Sequence, residues 1–153
     1  LEVRGAVLDF AFNNYFGMDD ASGEKVLDGY DMRLASQIPY LHWADVFVNS
    51  YSWDGEARDD VKGLVYGSEL SLSPSVNFEI AYDDKDKVGL EDEYYVKLMF
   101  VHPPRNIASL ADGISSEIWR SQTDMSDQML TKVQRNNKIM VEFNGSASIV
   151  RAD

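Results

Sequence analysis

Residues 76–82 read Val76-Asn77-Phe78-Glu79-Ile80-Ala81-Tyr82. Val76, Phe78, Ile80 and Tyr82 take every second position, and Asn77, Glu79 and Ala81 fill the gaps. A strand turns successive side chains to opposite faces, so a period of two predicts a strand with one apolar and one mixed face. The same rhythm extends outward from this stretch. Within Val61–Leu72, Leu64, Tyr66, Leu70 and Leu72 oppose Gly63, Gly67, Glu69 and Ser71. Downstream, Tyr94, Val96, Leu98 and Phe100 oppose Tyr95, Lys97 and Met99. Val7–Tyr15 sets Leu8, Phe10 and Phe12 against Asp9, Ala11 and Asn13. Tyr30–Pro39 sets Tyr30, Met32, Leu34 and Ile38 against Asp31, Arg33, Ala35 and Gln37. Ala44–Trp53 is noisier, with Phe47, Asn49, Tyr51 and Trp53 on one face and Val46 and Val48 on the other. The chain therefore reads as all-β through Val101, with six strands.

Alternation alone fits a soluble sandwich as well as a barrel. The connectors separate the two. Residues 16–29 are long and rich in Gly and Asp, Tyr40–Trp43 is short, and Asp54–Asp60 is long and charged. Ser73–Ser75 is short and holds Pro74, and Asp83–Glu93 is long and charged. Long and short connectors in alternation are the pattern of an antiparallel transmembrane β-barrel, with short turns at one end and long loops at the other. Apolar rows (Leu64, Tyr66, Leu70, Phe78, Ile80, Val96, Leu98, Phe100) are then expected to face lipid. Asp31, Arg33, Glu79 and Lys97 are expected in the lumen. Tyr30, Trp53, Tyr82 and Tyr94 near the long connectors, and Tyr40 and Trp43 at the other end, are expected as aromatic girdles. Six strands are too few for a closed membrane barrel, and an open edge in lipid is prohibitive, so further strands are expected upstream of Leu1.

Composition agrees. The 153 residues contain no run apolar enough for a membrane-spanning helix, and 12% are aromatic. A net charge of -12 argues against nucleic-acid binding, which needs a basic surface. With no cysteine there is no disulfide framework, thiolate metal site or thiol nucleophile. No nucleophile-elbow or phosphate-binding loop accompanies the two histidines, His42 and His102, so no catalytic set, cofactor or metal site is expected. The acid pairs Asp59-Asp60 and Asp83-Asp84 lack EF-hand spacing and read as solvated loop acids, with a calcium role as the sharper alternative.

After Val101 the pattern changes. His102-Pro103-Pro104 ends the last strand, because proline cannot donate to a ladder. Residues 106–123 carry a loose helical spacing (Ile107, Leu110, Ala111, Ile114, Ile118) broken by Gly113. Ser126–Gln134 predicts a short helix: Met125, Met129 and Val133 recur every four residues. Asp124 and Asp127 lie near its start, and Lys132 and Arg135 near its end, as the helix dipole favours. Asn136-Asn137 reads as its stop, Lys138–Phe143 as extended, and Asn144-Gly145-Ser146 as a flexible exit. The organisation expected is a barrel portion at 1–101, a connection at 102–125, and a helix and linker at 126–153. The rhythm of the connectors ends the sixth strand on the short-connector side, from which the tail is long enough to pass back through the lumen.

Gly29-Tyr30-Asp31-Met32-Arg33-Leu34 with Ile38-Pro39 resembles a strand motif of the intimin/invasin family, the inverse autotransporters. Trp53-Asp54-Gly55 and Tyr82-Asp83-Asp84 resemble later parts of that barrel. Val133-Gln134-Arg135-Asn136-Asn137-Lys138-Ile139-Met140-Val141-Glu142-Phe143 resembles the segment that follows it. The resemblance implies the C-terminal half of a bacterial outer-membrane barrel of about twelve strands, inserted by the barrel-assembly machinery among lipid and lipopolysaccharide. It implies a type V secretion translocator that anchors and displays a C-terminal adhesin-type passenger able to meet host or cell-surface receptors. By position, Met129–Gln134 (with Val133) would be the lumen helix, and Arg135, Asn136, Asn137 and on to Phe143 the linker. The alternatives are a non-exporting barrel or channel and a soluble lipocalin-like or sandwich ligand binder.

Overall fold

A computed structural model of the chain describes residues 1–17, 24–55, 60–86, 91–102, 106–121, 138–143 and 146–151, with backbone pairing alone at 24–26, 138–143 and 146–151. Ten strands occur among them: β1 Glu2–Arg4, β2 Leu8–Tyr15, β3 Glu24–Val26, β4 Gly29–Ile38, β5 Leu41–Trp53, β6 Val61–Ser73, β7 Val76–Lys85, β8 Glu93–Phe100, β9 Lys138–Phe143 and β10 Ser146–Arg151. Seven of these form one antiparallel sheet in the order β1-β2-β4-β5-β6-β7-β8. The other three form a small sheet, β10-β9-β3.

The large sheet is a meander, and its register carries the predicted alternation from strand to strand. Phe10, Leu34, Val48, Tyr66, Tyr82 and Tyr94 stand in one cross-strand row, and Ala11, Arg33, Asn49, Val65, Asp83 and Glu93 in the next. Rows of the first kind are exposed: Leu34, Tyr66, Ile80, Val96, Leu98 and Phe100 all lie open. Rows of the second kind are covered, with Ala11, Asp31, Phe47, Val65, Ala81 and Asp83 buried. This inverts a soluble sheet, whose apolar face is the hidden one.

The core lies on the covered face near the long connectors. Leu27, Phe47, Tyr51, Trp53, Val61, Val65 and Ala81 pack together, flanked by Tyr15, Ala35 and Tyr95. Trp53, expected at an aromatic girdle, is therefore a covered core residue, 2% exposed, its ring tilted against that of Tyr15 with centroids 5.1 Å apart. In β5 both faces are apolar, so the alternation could not say which one carried the ring.

Several boundaries differ from expectation. The β4–β5 connection is only Pro39-Tyr40, because β5 starts at Leu41 and not after Trp43. Tyr40 adopts φ 65°, the left-handed region that the residue after Pro takes in a type II turn. β7 runs on to Lys85, so Asp83 and Asp84 belong to a strand and not to a loop. Asp83 is buried and Asp84 exposed, on opposite faces, so the pair cannot share a cation. The loose helical spacing of 106–121 yields one 3-10 turn, Leu110–Asp112, and otherwise bends. Ser146, expected in a flexible exit, opens β10, which pairs with β9 along its whole length. The expected helix at Ser126–Gln134, with Met129 and Val133, and the linker residues Arg135, Asn136 and Asn137 lie outside the described residues.

Candidate functional site

Two chain segments meet the ends of the large sheet, and a polar network lines the covered face between them.

At the short-connector end, residues 109–120 fasten onto the β4–β5 hairpin. The Tyr40 amide donates to the Ile118 carbonyl at 2.9 Å, and the Tyr40 carbonyl accepts from the Ser115 amide at 2.8 Å. The Trp43 indole donates to the Gly113 carbonyl at 2.8 Å, and His42 Nε2 stands 3.0 Å from the Glu117 carbonyl. The Arg120 amide donates to Oε1 of Gln37 at 3.1 Å, while its guanidinium lies 3.7 Å from Asp45. A segment with little regular structure is thus held by the backbone groups that Tyr40 leaves free at the hairpin tip and by the side chains of Gln37, His42, Trp43 and Asp45. Tyr40 was expected as a girdle ring. The residue is 44% exposed, and its backbone holds the tail.

At the long-connector end, β3 lies within the connector between β2 and β4, whose closing pair is Tyr15 with Gly29. It pairs with β9 in the register Glu24–Phe143, Lys25–Glu142 and Val26–Val141. The tail therefore touches the sheet at one end through Ser115, Ile118 and Arg120, and reaches the opposite end by Lys138–Phe143.

The covered face between these ends is polar in an organised way. Asp31 accepts from Asn13 Nδ2 at 3.0 Å and from the Tyr15 hydroxyl. Glu79 accepts from the Tyr95 hydroxyl at 2.9 Å, and Asp83 from the Tyr51 hydroxyl at 2.9 Å. Arg33 crosses the Phe47 ring, 3.7 Å from its centroid, to reach Glu69 two strands away at 3.4 Å. Glu69 also accepts from Asn77 at 2.9 Å. Of the expected lumen residues, Asp31, Arg33 and Glu79 join this network, and Lys97 stands opposite Glu79 on β8, exposed. The alternation had not singled out the hydroxyl donors Tyr15, Tyr51 and Tyr95. Their signal was a tyrosine in the row that carries the acids.

The expected lipid-facing residues share the other face. Leu64, Tyr66, Ile80, Val96, Leu98 and Phe100 are exposed, and Leu70 and Phe78 half-buried. Tyr66, Tyr82 and Tyr94 form a file across β6, β7 and β8, with ring centroids 5.4 and 4.5 Å apart. The file sits toward the long-connector end. Tyr30 lies near that end too, 6.2 Å from Phe12. Beyond the strand, Asp92 accepts from the Tyr82 hydroxyl at 2.7 Å and from the Lys85 amide at 3.1 Å. The Tyr82 bond, then the Lys85 one, holds its carboxyl below the usual carboxylate range. Among the described residues no cluster of three metal-ligating side chains occurs.

The large sheet thus has one exposed apolar face and one covered face with an acidic network, its short-connector end holds residues 113–120, and β3 in a long connector pairs with β9. The family model of the inverse autotransporter beta-domain matches residues 1–137. The chain belongs to the inverse autotransporter beta-domain family. No curated protein and no solved structure matches it. For an inverse autotransporter, the open antiparallel sheet is part of a β-barrel, and the family implies a translocator role in type V secretion and a bacterial outer membrane.

Proposed function

We propose that this inverse autotransporter domain exports and anchors a C-terminal adhesin-type passenger by carrying its own tail through the barrel. The observation that supports this most is the placement of that tail. Residues 113–120 are held at the short-connector end, and Lys138–Phe143 pairs with Glu24–Val26 at the long-connector end. From Ser121 to Lys138 the chain reaches about 25 Å if helical and about 56 Å if extended. The apolar band of an outer-membrane barrel is about 25 Å tall, so either conformation crosses it.

In this reading the exposed rows, from Leu64 to Phe100, meet lipid and the outer leaflet's lipopolysaccharide. Tyr30, Tyr66, Tyr82 and Tyr94 sit at one interface, where a ring with a polar tip is favoured. Asp31, Arg33, Glu79 and Lys97 line the lumen, and Met129–Gln134 and the linker residues Arg135, Asn136 and Asn137 pass through it. Among the described residues β1 and β8 are the outermost strands of the large sheet, and in lipid those edges must be paired. Closure by further strands of the same barrel, guided by the barrel-assembly machinery, satisfies them. The passenger, displayed outside, would meet host or cell-surface receptors. An epitope placed after Asp153 in the full-length protein tests the reading. Antibody binding on intact cells supports export, and binding only after the outer membrane is opened rejects it.

A further inference from the structure

We propose that β3, Glu24–Val26, is an acceptor strand that catches the tail as it leaves the barrel and keeps it from sliding back; the proposal rests on the threading just described. A three-residue strand has little tendency to be extended by itself. β3 pairs with neither β2 nor β4, its neighbours in sequence, and its partner is β9, more than a hundred residues on. Its place is fixed independently of that partner. Leu27, the next residue, is 2% exposed in the core with Trp53 and Val61. The Asp28 carbonyl accepts from the Asp54 amide at 2.8 Å, and Asp28 Oδ1 accepts from the Gly17 amide at 2.5 Å. The connector's two described flanks are thus tied to each other, and the flank next to β3 is tied to the core and to Asp54 after β5; a strand held ready loses less freedom when a partner pairs with it.

The partner arrives by strand addition, in which main-chain hydrogen bonds supply the binding and tolerate varied side chains. The register sets Lys25 directly opposite Glu142. β9 is also paired on its other side by β10, from Ser146–Phe143 through Arg151–Lys138. Once the tail has joined β3, it is therefore part of a three-stranded sheet. A single extended segment would have to leave that sheet to move back into the channel. The first long connector is accordingly the place where the exported chain stops.

A disulfide reads this pairing directly in a full-length protein in which any cysteine outside these 153 residues is replaced by serine, since the 153 residues themselves contain none. Directly opposed antiparallel residues have Cα atoms about 4.5–5.5 Å apart, within disulfide reach. Lys25→Cys with Glu142→Cys in the full-length protein on cells, under mild oxidation, should crosslink at least tenfold more than Lys25→Cys with Lys138→Cys. The latter pair is about 13 Å out of register. Adding Val26→Pro, which removes one amide donor from a strand outside the large sheet, should cut the first yield severalfold while the barrel still assembles. Equal yields from the two pairs, on cells whose tail is reached by outside antibody, would overturn the acceptor strand and leave threading standing. A tail that antibody cannot reach from outside would overturn both.

Discussion

The hydroxyl of Tyr51 on β5 donates to Oδ1 of Asp83 on β7 across 2.9 Å, and the strand between them places Gly63 at the crossing. Gly63 is the register partner of Tyr51, and a Cβ built on it would fall on the phenol itself. Trp53 lies over Gly29 in the same manner. These two glycines are required by close approach, because an aromatic ring from the next strand occupies the space of their missing side chains. Bonds that skip a strand, Tyr51 to Asp83 and Arg33 to Glu69, tie together the face that has no apolar majority.

Gly63→Val should therefore displace the Tyr51 ring and remove a donor from Asp83, which is fully buried. Losing one partner of a buried acid costs about 1–3 kcal/mol. Tyr51→Phe should lose a similar amount with less steric disturbance. Denaturant unfolding of the folded barrel in detergent measures both, and unchanged midpoints would mean the bridge contributes nothing.

The two faces should respond oppositely to charge. Leu98 is 52% exposed on the apolar face, and a charge there near mid-membrane costs about 2–4 kcal/mol. Leu98→Arg is expected to abolish barrel assembly. Glu79→Gln keeps an acceptor for the Tyr95 hydroxyl and should assemble almost normally. Small and equal effects on the amount of assembled barrel would overturn the face assignment.

At the hairpin tip, backbone and not side chain should decide. Tyr40 holds a left-handed φ and bonds the tail through both of its peptide groups. Asn tolerates that conformation better than most residues, so Tyr40→Asn should keep the 115–118 segment docked. Tyr40→Pro fixes φ near −65° and deletes the amide donor. Limited proteolysis of detergent-solubilised protein should cut residues 106–121 at least several times faster in the proline variant alone.

Asp92 should titrate below an ordinary carboxylate, because the Tyr82 hydroxyl and then the Lys85 amide favour its charged form. Its folded pKa is depressed, so what it adds to stability is present above the unfolded value of about 3.9. That contribution is lost as pH falls through the folded value. Carbon-13 detection of the carboxyl should show the lowered midpoint, and Tyr82→Phe should raise it toward the ordinary range. A midpoint that ignores the substitution would deny the bond.

The strands of the large sheet were legible because one face of each meets an apolar surround and the other does not. That asymmetry writes itself as a period of two in Val76–Tyr82 and its neighbours. β5 was legible as a strand but not by face, since Phe47, Tyr51 and Trp53 alternate with Val46 and Val48. The tail contacts were illegible for a different reason. Ile118 and Ser115 bond to the backbone of Tyr40, and backbone bonding leaves no mark in residue type. β3 is three residues whose extended form depends on a distant partner, and β10, Ser146–Arg151, depends likewise on β9.

The central claim, that the tail lies on both sides of one membrane, is tested most directly by two single cysteines in the full-length protein. Ile114→Cys marks an exposed position at the short-connector end, and Ser148→Cys marks β10. A membrane-impermeant maleimide added to intact cells should label Ser148→Cys at once. It should label Ile114→Cys only after the outer membrane is opened. Protection of both positions until that opening would contradict the account.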